Sequence, residues 1–97
     1  MKKIAELRNL LKESRHELES RYHVSDMALF GSYVRGEENS ESDLDMLVSF
    51  SESISLFQFI ELEERLTELL GVKVDLVSRK ALKPRIGERI LKEAVGV

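Results

Sequence analysis

The first 22 residues have the hydrophobic spacing of an amphipathic helix. Apolar side chains recur on one helical face, while lysine, arginine and glutamate fill much of the remainder. The apolar positions are Ile4, Leu7, Leu11, Leu18 and Tyr22. His23 and the pair Ser25-Asp26 interrupt the pattern. The spacing therefore predicts one helix over residues 1–22.

Short apolar segments of strand length follow further along the chain. The strand candidates cover residues 27–30, 44–50 and 72–77. In the third of these, apolar side chains alternate around Lys73 and Asp75, which is typical of a strand. Residues 36–42 are polar and predict a loop between the first two strands.

Two more helices are predicted after the second strand. Residues 56–70 place their apolar positions on one side, and Gly71 follows where a helix commonly ends. Pro84 opens a last helix through Ala94, since proline is tolerated in the first turn. The order α-β-β-α-β-α predicts an α+β fold, a small mixed sheet with helices packed mainly on one face. We expect a single domain over residues 1–97.

Composition narrows the classes of protein that this chain resembles. Of its 97 residues, 42% are hydrophobic and 34% are charged, which is typical of a folded globular chain. The net charge of −3 argues against nucleic-acid binding as the primary role. There is no cysteine, so disulfides and thiolate metal sites are excluded. Because the sequence shows no membrane span and no signal peptide, we expect a cytoplasmic location and no membrane association.

Two carboxylates stand two positions apart where the second strand candidate begins. Asp43 and Asp45 are expected on the same face, because side chains of a strand alternate between faces. Two like charges on one face repel each other unless a positive charge lies between them. Mg²⁺ prefers such oxygen ligands, so the pair predicts a magnesium site. The alternative is a solvated strand start with no ligand, and the pair alone does not distinguish the two.

A third carboxylate lies within the last strand candidate. Asp75 stands between apolar neighbours, where an uncompensated charge would cost several kcal/mol on burial. Catalysis by two metal ions uses shared carboxylates to stabilise the attacking and leaving oxygens. Asp75 is therefore our candidate for the third ligand, on the side of the attacking group.

A turn that could bind phosphate comes directly after the first strand candidate. The backbone N–H groups and the hydroxyl of Gly31 and Ser32 could face an anion there. Arg35 could contact phosphate as well, or it could pair with a nearby acid such as Glu37 as a structural brace. The brace is the favoured role, and a Gly-Ser pair alone is a weak motif.

Taken together, these residues closely resemble the nucleotidyltransferases of the polymerase-β superfamily, and among them the minimal nucleotidyltransferases. The resemblance spans residues 26–78 by motif and the whole chain by length and element order. It rests on Gly31-Ser32, Arg35-Gly36, Asp43, Asp45 and Asp75 in this order and spacing. It implies the polymerase-β-type fold and catalytic, metal-binding roles for the three aspartates. It also implies nucleotide binding by Gly31, Ser32 and Arg35.

The same resemblance implies a reaction and a partner. A minimal nucleotidyltransferase uses two Mg²⁺ ions to move AMP from ATP to a hydroxyl of a HEPN-domain toxin, releasing pyrophosphate. It thereby acts as the antitoxin of a toxin–antitoxin pair and forms a hetero-oligomer. Larger relatives carry an acceptor-binding domain that is missing here. The acceptor is therefore expected either to be large enough to bring its own binding surface or to lie on a partner protein.

Two other functions stay open from the sequence. The chain could be a non-catalytic antitoxin that neutralises its partner by covering it, although the complete set of carboxylates argues against this. It could also be a transferase acting on a small molecule or an RNA end. The missing acceptor domain and the acidic balance argue against that third function.

Overall fold

The computed structural model describes residues 2–97, which form an α+β fold with five α-helices and four strands. The first residue of the predicted helix over 1–22 lies outside this range. The helices are α1 (Ile4–Glu13), α2 (Arg15–Tyr22), α3 (Ser32–Arg35), α4 (Leu56–Leu70) and α5 (Pro84–Glu93). The strands are β1 (Val24–Phe30), β2 (Leu44–Phe50), β3 (Val74–Ser78) and β4 (Val95–Gly96). A 3₁₀ turn over Arg79–Ala81 follows β3.

The four strands form one mixed sheet in the order β3-β2-β1-β4. β1 runs antiparallel to both of its neighbours, whereas β2 and β3 are parallel. Parallel strands need a crossover connection, which α4 provides here. The mixed sheet predicted from the sequence is thus confirmed.

The core lies between one face of the sheet and the helices α1, α2 and α4. The helices contribute leucines at helical spacing, and β2 contributes every second residue. These buried side chains include Leu7, Leu11, Leu18, Leu44, Met46, Val48, Leu62, Leu66 and Leu70. Full burial of each such side chain stabilises the fold by about 1.5–3 kcal/mol relative to exposure. Packing of helices mainly on one face follows from this distribution.

The opposite face of the sheet carries the predicted acidic residues. Because Leu44, Met46 and Val48 point into the core, Asp45 points to the other side. Asp45 is directly opposite Phe30 of β1 in the antiparallel register, so the two side chains share this face. The face therefore presents Asp45 at the end of the sheet where β1 finishes.

The structure has two more helices than the sequence predicted, because the first predicted helix is divided and the short α3 is absent from the predicted order. The last helix, α5, ends at Glu93 rather than at the predicted Ala94. α4 has the predicted bounds, because Ser55 and Gln58 form a capping box at its start and Gly71 adopts a left-handed conformation at its end. The predicted helix over 1–22 is wrong as a single element, since it breaks at Ser14. The backbone bonds Ser14 N–H to Leu10 O and Leu18 N–H to Ser14 O continue through the break. Within residues 2–97, no helix is both long and apolar enough to cross a membrane.

The strands differ more from the prediction. β1 begins at Val24 rather than residue 27, and its polar residues Ser25 and Asp26 are exposed in an irregular part of the pairing with β2. β3 covers Val74–Ser78 rather than the predicted range 72–77. β4 was not predicted, because two residues are too few to show a period. Its pairing with β1 fixes the end of the chain beside the sheet.

Candidate active site

The parallel register of β2 and β3 places Asp45 beside Asp75. Because paired residues on neighbouring strands point to the same face, the two carboxyl groups are adjacent on the sheet surface. They come from residues 30 positions apart in the chain. The sheet therefore brings together two of the three predicted catalytic residues.

The electrostatics of Asp45 show that this cluster holds excess negative charge. Burial raises the pKa of the Asp45 carboxyl to about 6, and the negative charges of Asp75 and Asp43 add to the rise. The positive charge of Arg35 lowers the pKa of Asp45, but this effect is smaller than those that raise it. A carboxyl group with a raised pKa, next to a second carboxylate on an open sheet face, is typical of functional sites.

The third predicted ligand, Asp43, lies nearby but has a different neighbour. Its Oδ2 is 4.0 Å from the Nζ of Lys73, and its side chain is 41% exposed. In the part of the chain from Lys2 to Val97, no three histidine, aspartate or glutamate side chains are arranged as a ready metal-binding group. Assembling all three aspartates around an ion would thus require some movement of their side chains.

The chemistry of the donor set fits magnesium. All three candidates offer carboxylate oxygens, which suit a hard cation such as Mg²⁺. A cation between Asp45 and Asp75 would also relieve the repulsion that raises the pKa of Asp45. The side chains are therefore suited to Mg²⁺, with Asp45 and Asp75 already adjacent.

The environment of Asp75 corrects one step of the sequence interpretation. Asp75 is exposed rather than buried, because β3 is an edge strand and Asp75 points away from the core side chains of its neighbours Val74 and Leu76. A charged carboxylate that stays in water costs little free energy, so the predicted penalty for burying Asp75 does not arise. Its candidacy rests instead on its position beside Asp45.

The turn after β1 packs directly against Asp45. Gly31 has φ 83° and ψ −156°, a conformation that is open essentially to glycine alone. A Cβ atom at this position would lie 2.0 Å from Oδ2 of Asp45. Glycine therefore permits both the backbone turn and the close approach of Asp45. Ser32 begins α3 at this point, beside the carboxylate cluster.

A residue that the sequence interpretation missed, Glu93, holds this turn in place. The N–H of Gly31 donates to Oε2 of Glu93 at 2.9 Å, and Nη1 of Arg35 donates to Oε1 at 2.7 Å. Bonding to Arg35 and to Gly31 lowers the pKa of Glu93. The only signal in the sequence is an acid in the last turn of a helix, where the helix dipole disfavours negative charge.

Arg35 is engaged as a brace, the favoured role of the two considered above. Its guanidinium bonds to Glu37, as predicted, and to Glu93, which was not predicted. These two acids neutralise Arg35. Nucleotide binding by Gly31, Ser32 and Arg35 stays a prediction.

The raised pKa of Asp45 gives a testable dependence of stability on pH in metal-free protein. Between about pH 4 and pH 6 the folded state binds more protons at Asp45 than the unfolded state, so the free energy of unfolding falls as pH rises. Because solvent screens this half-buried group, we expect a loss of about 1 kcal/mol rather than the full value. In Asp45→Asn this contribution should be absent.

Urea denaturation in EDTA at about pH 4.5 and pH 7.5 measures this effect. Asp45→Asn should gain stability relative to wild type at the higher pH and much less at the lower pH. An equal difference at both values would contradict the assigned electrostatics of Asp45.

Comparison with known proteins agrees with this geometry. Residues 11–97 match the family described as nucleotidyltransferase domain. The protein adenylyltransferase MntA of Thermococcus cleftensis is 47% identical over 94 residues, covering 97% of this chain and 95% of the relative.

Solved structures share the same fold. One chain, provisionally named a minimal nucleotidyltransferase, is 39% identical with a TM-score of 0.76, covering 94% of this chain and 95% of that one. Another comes from a complex of a tri-AMPylated HEPN toxin with an MNT antitoxin from Shewanella oneidensis. It has a TM-score of 0.67 at 19% identity, covering 93% of this chain and 70% of that one.

The family match covers most of the chain, and a relative of nearly equal length aligns along almost all of it. The solved structures show that these proteins share the fold of this chain. The chain therefore belongs to the nucleotidyltransferase domain family, in its branch of minimal nucleotidyltransferases.

Proposed function

We propose that this chain transfers AMP from ATP to a hydroxyl group of a HEPN-domain toxin and so acts as its antitoxin. The observation that carries the proposal is the adjacency of Asp45 and Asp75 against the Gly31 turn. A carboxylate pair beside a possible phosphate-binding turn suits a reaction at phosphorus. The name of the Thermococcus relative, a protein adenylyltransferase, supports AMP as the transferred group.

In this proposal each part of the site has a separate task. The turn at Gly31 and Ser32 holds the phosphates of ATP, and Asp75 accepts the proton of the acceptor hydroxyl as its oxygen attacks the α-phosphorus. The bond between the α-phosphorus and the oxygen of the leaving pyrophosphate breaks as the new phosphorus–oxygen bond forms. Glu93 keeps the turn aligned with Asp45 through its bonds to Gly31 and Arg35.

Two Mg²⁺ ions complete the proposed site. Asp43, Asp45 and Asp75 would hold them. When bound, the ions supply positive charge that neutralises the reacting phosphates. Without such charge, three carboxylates would repel an anionic substrate.

Two observations support a HEPN-domain partner, namely the complex of a similar protein and an exposed apolar surface on this chain. The Shewanella complex pairs an MNT antitoxin with an AMPylated HEPN toxin. In this chain, the start of α4 exposes Leu56, Phe57 and Ile60, with 81% of Phe57 accessible. A cluster of large apolar side chains on the surface is typical of a protein–protein interface. A hetero-oligomer would bring the acceptor hydroxyl with it.

Mass spectrometry of the toxin tests the proposed function. The purified chain is incubated with ATP, Mg²⁺ and a HEPN-domain toxin. We expect one or more AMP additions on a hydroxyl side chain, and loss of toxicity in step with modification. A matched incubation without ATP should leave both the mass and the toxicity unchanged.

The same experiment distinguishes an enzyme from a non-catalytic antitoxin that acts only by binding its partner. If the toxin is neutralised in full without ATP and without a change in mass, inhibition is by complex formation, and the enzymatic proposal is wrong for this partner.

A further inference from the structure

A cavity of about 310 Å³ opens beside the proposed catalytic carboxylates. One side is formed by the end of β1, the Gly31 turn and Asp45, and the other side by one face of α5. The lining residues from α5 are Ile86, Arg89, Ile90 and Glu93. A nucleotide bound at Asp45 and the turn would therefore have α5 as its neighbour.

Two guanidinium groups line this cavity, and their surroundings differ. Arg35 is neutralised by Glu37 and Glu93, as described above. Arg89 is exposed, and within residues 2–97 no ion pair or hydrogen bond engages its side chain. It nevertheless lies near enough to Glu93 for its charge to lower the pKa of that carboxyl. Arg89 is thus the cation of the cavity that is available to a ligand.

The side chains around Arg89 suit a phosphate contact. Ile86 and Ile90 stand three positions before and one position after it, and both line the same cavity. Ile86 is 55% exposed and Arg89 is exposed, so a ligand can reach the guanidinium from solvent. Guanidinium offers several N–H donors in a plane that matches two phosphate oxygens.

We infer that Arg89 binds the polyphosphate of the nucleoside triphosphate, the role that the sequence motif suggests for Arg35. This inference rests on the proposed function, because it concerns the substrate of the same site. The proposed ligand of Arg89 is an anion with several phosphate groups. Binding at Arg89 does not require the nucleoside. Arg35 instead keeps the turn in position.

Isothermal titration with Mg²⁺ and a non-hydrolysable ATP analogue tests the inference. Arg89→Gln should weaken the analogue about tenfold, equivalent to about 1.4 kcal/mol, and should weaken inorganic tripolyphosphate similarly. Adenosine binding should not change, and the melting temperature should stay that of wild type because Arg89 is exposed. Arg89→Lys should recover part of the affinity.

Arg85→Gln is the matched control, because Arg85 is an exposed arginine of the same helix that does not line the cavity. It should bind the analogue like wild type. Wild-type affinity in Arg89→Gln, or equal losses in both variants, would overturn the role of Arg89 while leaving the proposed function intact. If the wild-type chain binds neither the analogue nor ATP with Mg²⁺, the proposed function itself fails, and this inference with it.

Discussion

Replacing both Asp43 and Asp45 by asparagine is expected to reduce AMP transfer by roughly 1,000-fold or more. Metal-assisted charge stabilisation contributes several kcal/mol to a transition state, and about 4 kcal/mol corresponds to this factor. Asparagine keeps the shape of each side chain but removes the charge that would bind Mg²⁺. Transfer to the toxin, followed by mass spectrometry over time, measures the loss.

The fold should survive this double substitution. Because burial and neighbouring negative charges raise the pKa of Asp45, removing its charge should leave the melting temperature equal or higher at neutral pH. Asp26→Asn is the control, since Asp26 is an exposed carboxylate near the far end of β1. It should retain wild-type transfer. Unchanged transfer in a folded double variant would show that the catalytic site lies elsewhere.

Asp75→Asn separates the tasks within the site. If Asp75 serves the attacking hydroxyl, this variant should lose transfer but keep most of its affinity for the ATP analogue. The double variant should lose both. A comparable loss of nucleotide affinity in Asp75→Asn would argue against the division of roles.

Gly31→Ala is expected to damage both stability and catalysis. The added Cβ would lie 2.0 Å from Oδ2 and 2.9 Å from Cγ of Asp45, so the carboxylate must move. The backbone conformation alone costs about 1–3 kcal/mol for a residue other than glycine. We expect a lower melting temperature and at least about 100-fold slower transfer, because small misplacements of catalytic groups have effects of this size.

Gly36→Ala is the matched control for backbone strain. Gly36 also has a positive φ, of 72°, but a Cβ there would meet no atom within 4 Å. It should lose about 1 kcal/mol of stability and keep its transfer activity. If the two alanine variants lost activity equally, displacement of Asp45 would not be the cause of the loss.

Local sequence signals predicted those parts of the fold that depend on neighbouring residues. The bounds of α4 follow from the capping box at Ser55 and the glycine at position 71, and both act within one helical turn. The strand β2 follows from a mainly apolar segment of strand length, in which Asp45 and Ser49 are the polar residues. Neither signal requires knowledge of distant contacts.

The candidate site could be predicted only in part. The spacing of Gly31, Asp43 and Asp45 identified the family, which the comparisons confirm. Asp75 was selected from its place in the last strand candidate and from the need for a third carboxylate, whereas its expected burial was wrong. Which strand lies at the edge of the sheet depends on strand order, and strand order leaves no local pattern.

By itself, the sequence determined the element types, the acidic pair and the glycine turn, because periodicity, capping and turn chemistry act over a few residues. Tertiary structure alone decided which charges distant in sequence meet. Glu93 reaches Gly31 across 62 positions of sequence and Arg35 across 58, and both contacts depend on how α5 packs beside the sheet. Those contacts neutralise Arg35 and leave Arg89 available. Such pairings follow from packing in three dimensions, since no spacing rule connects residues so far apart along the chain.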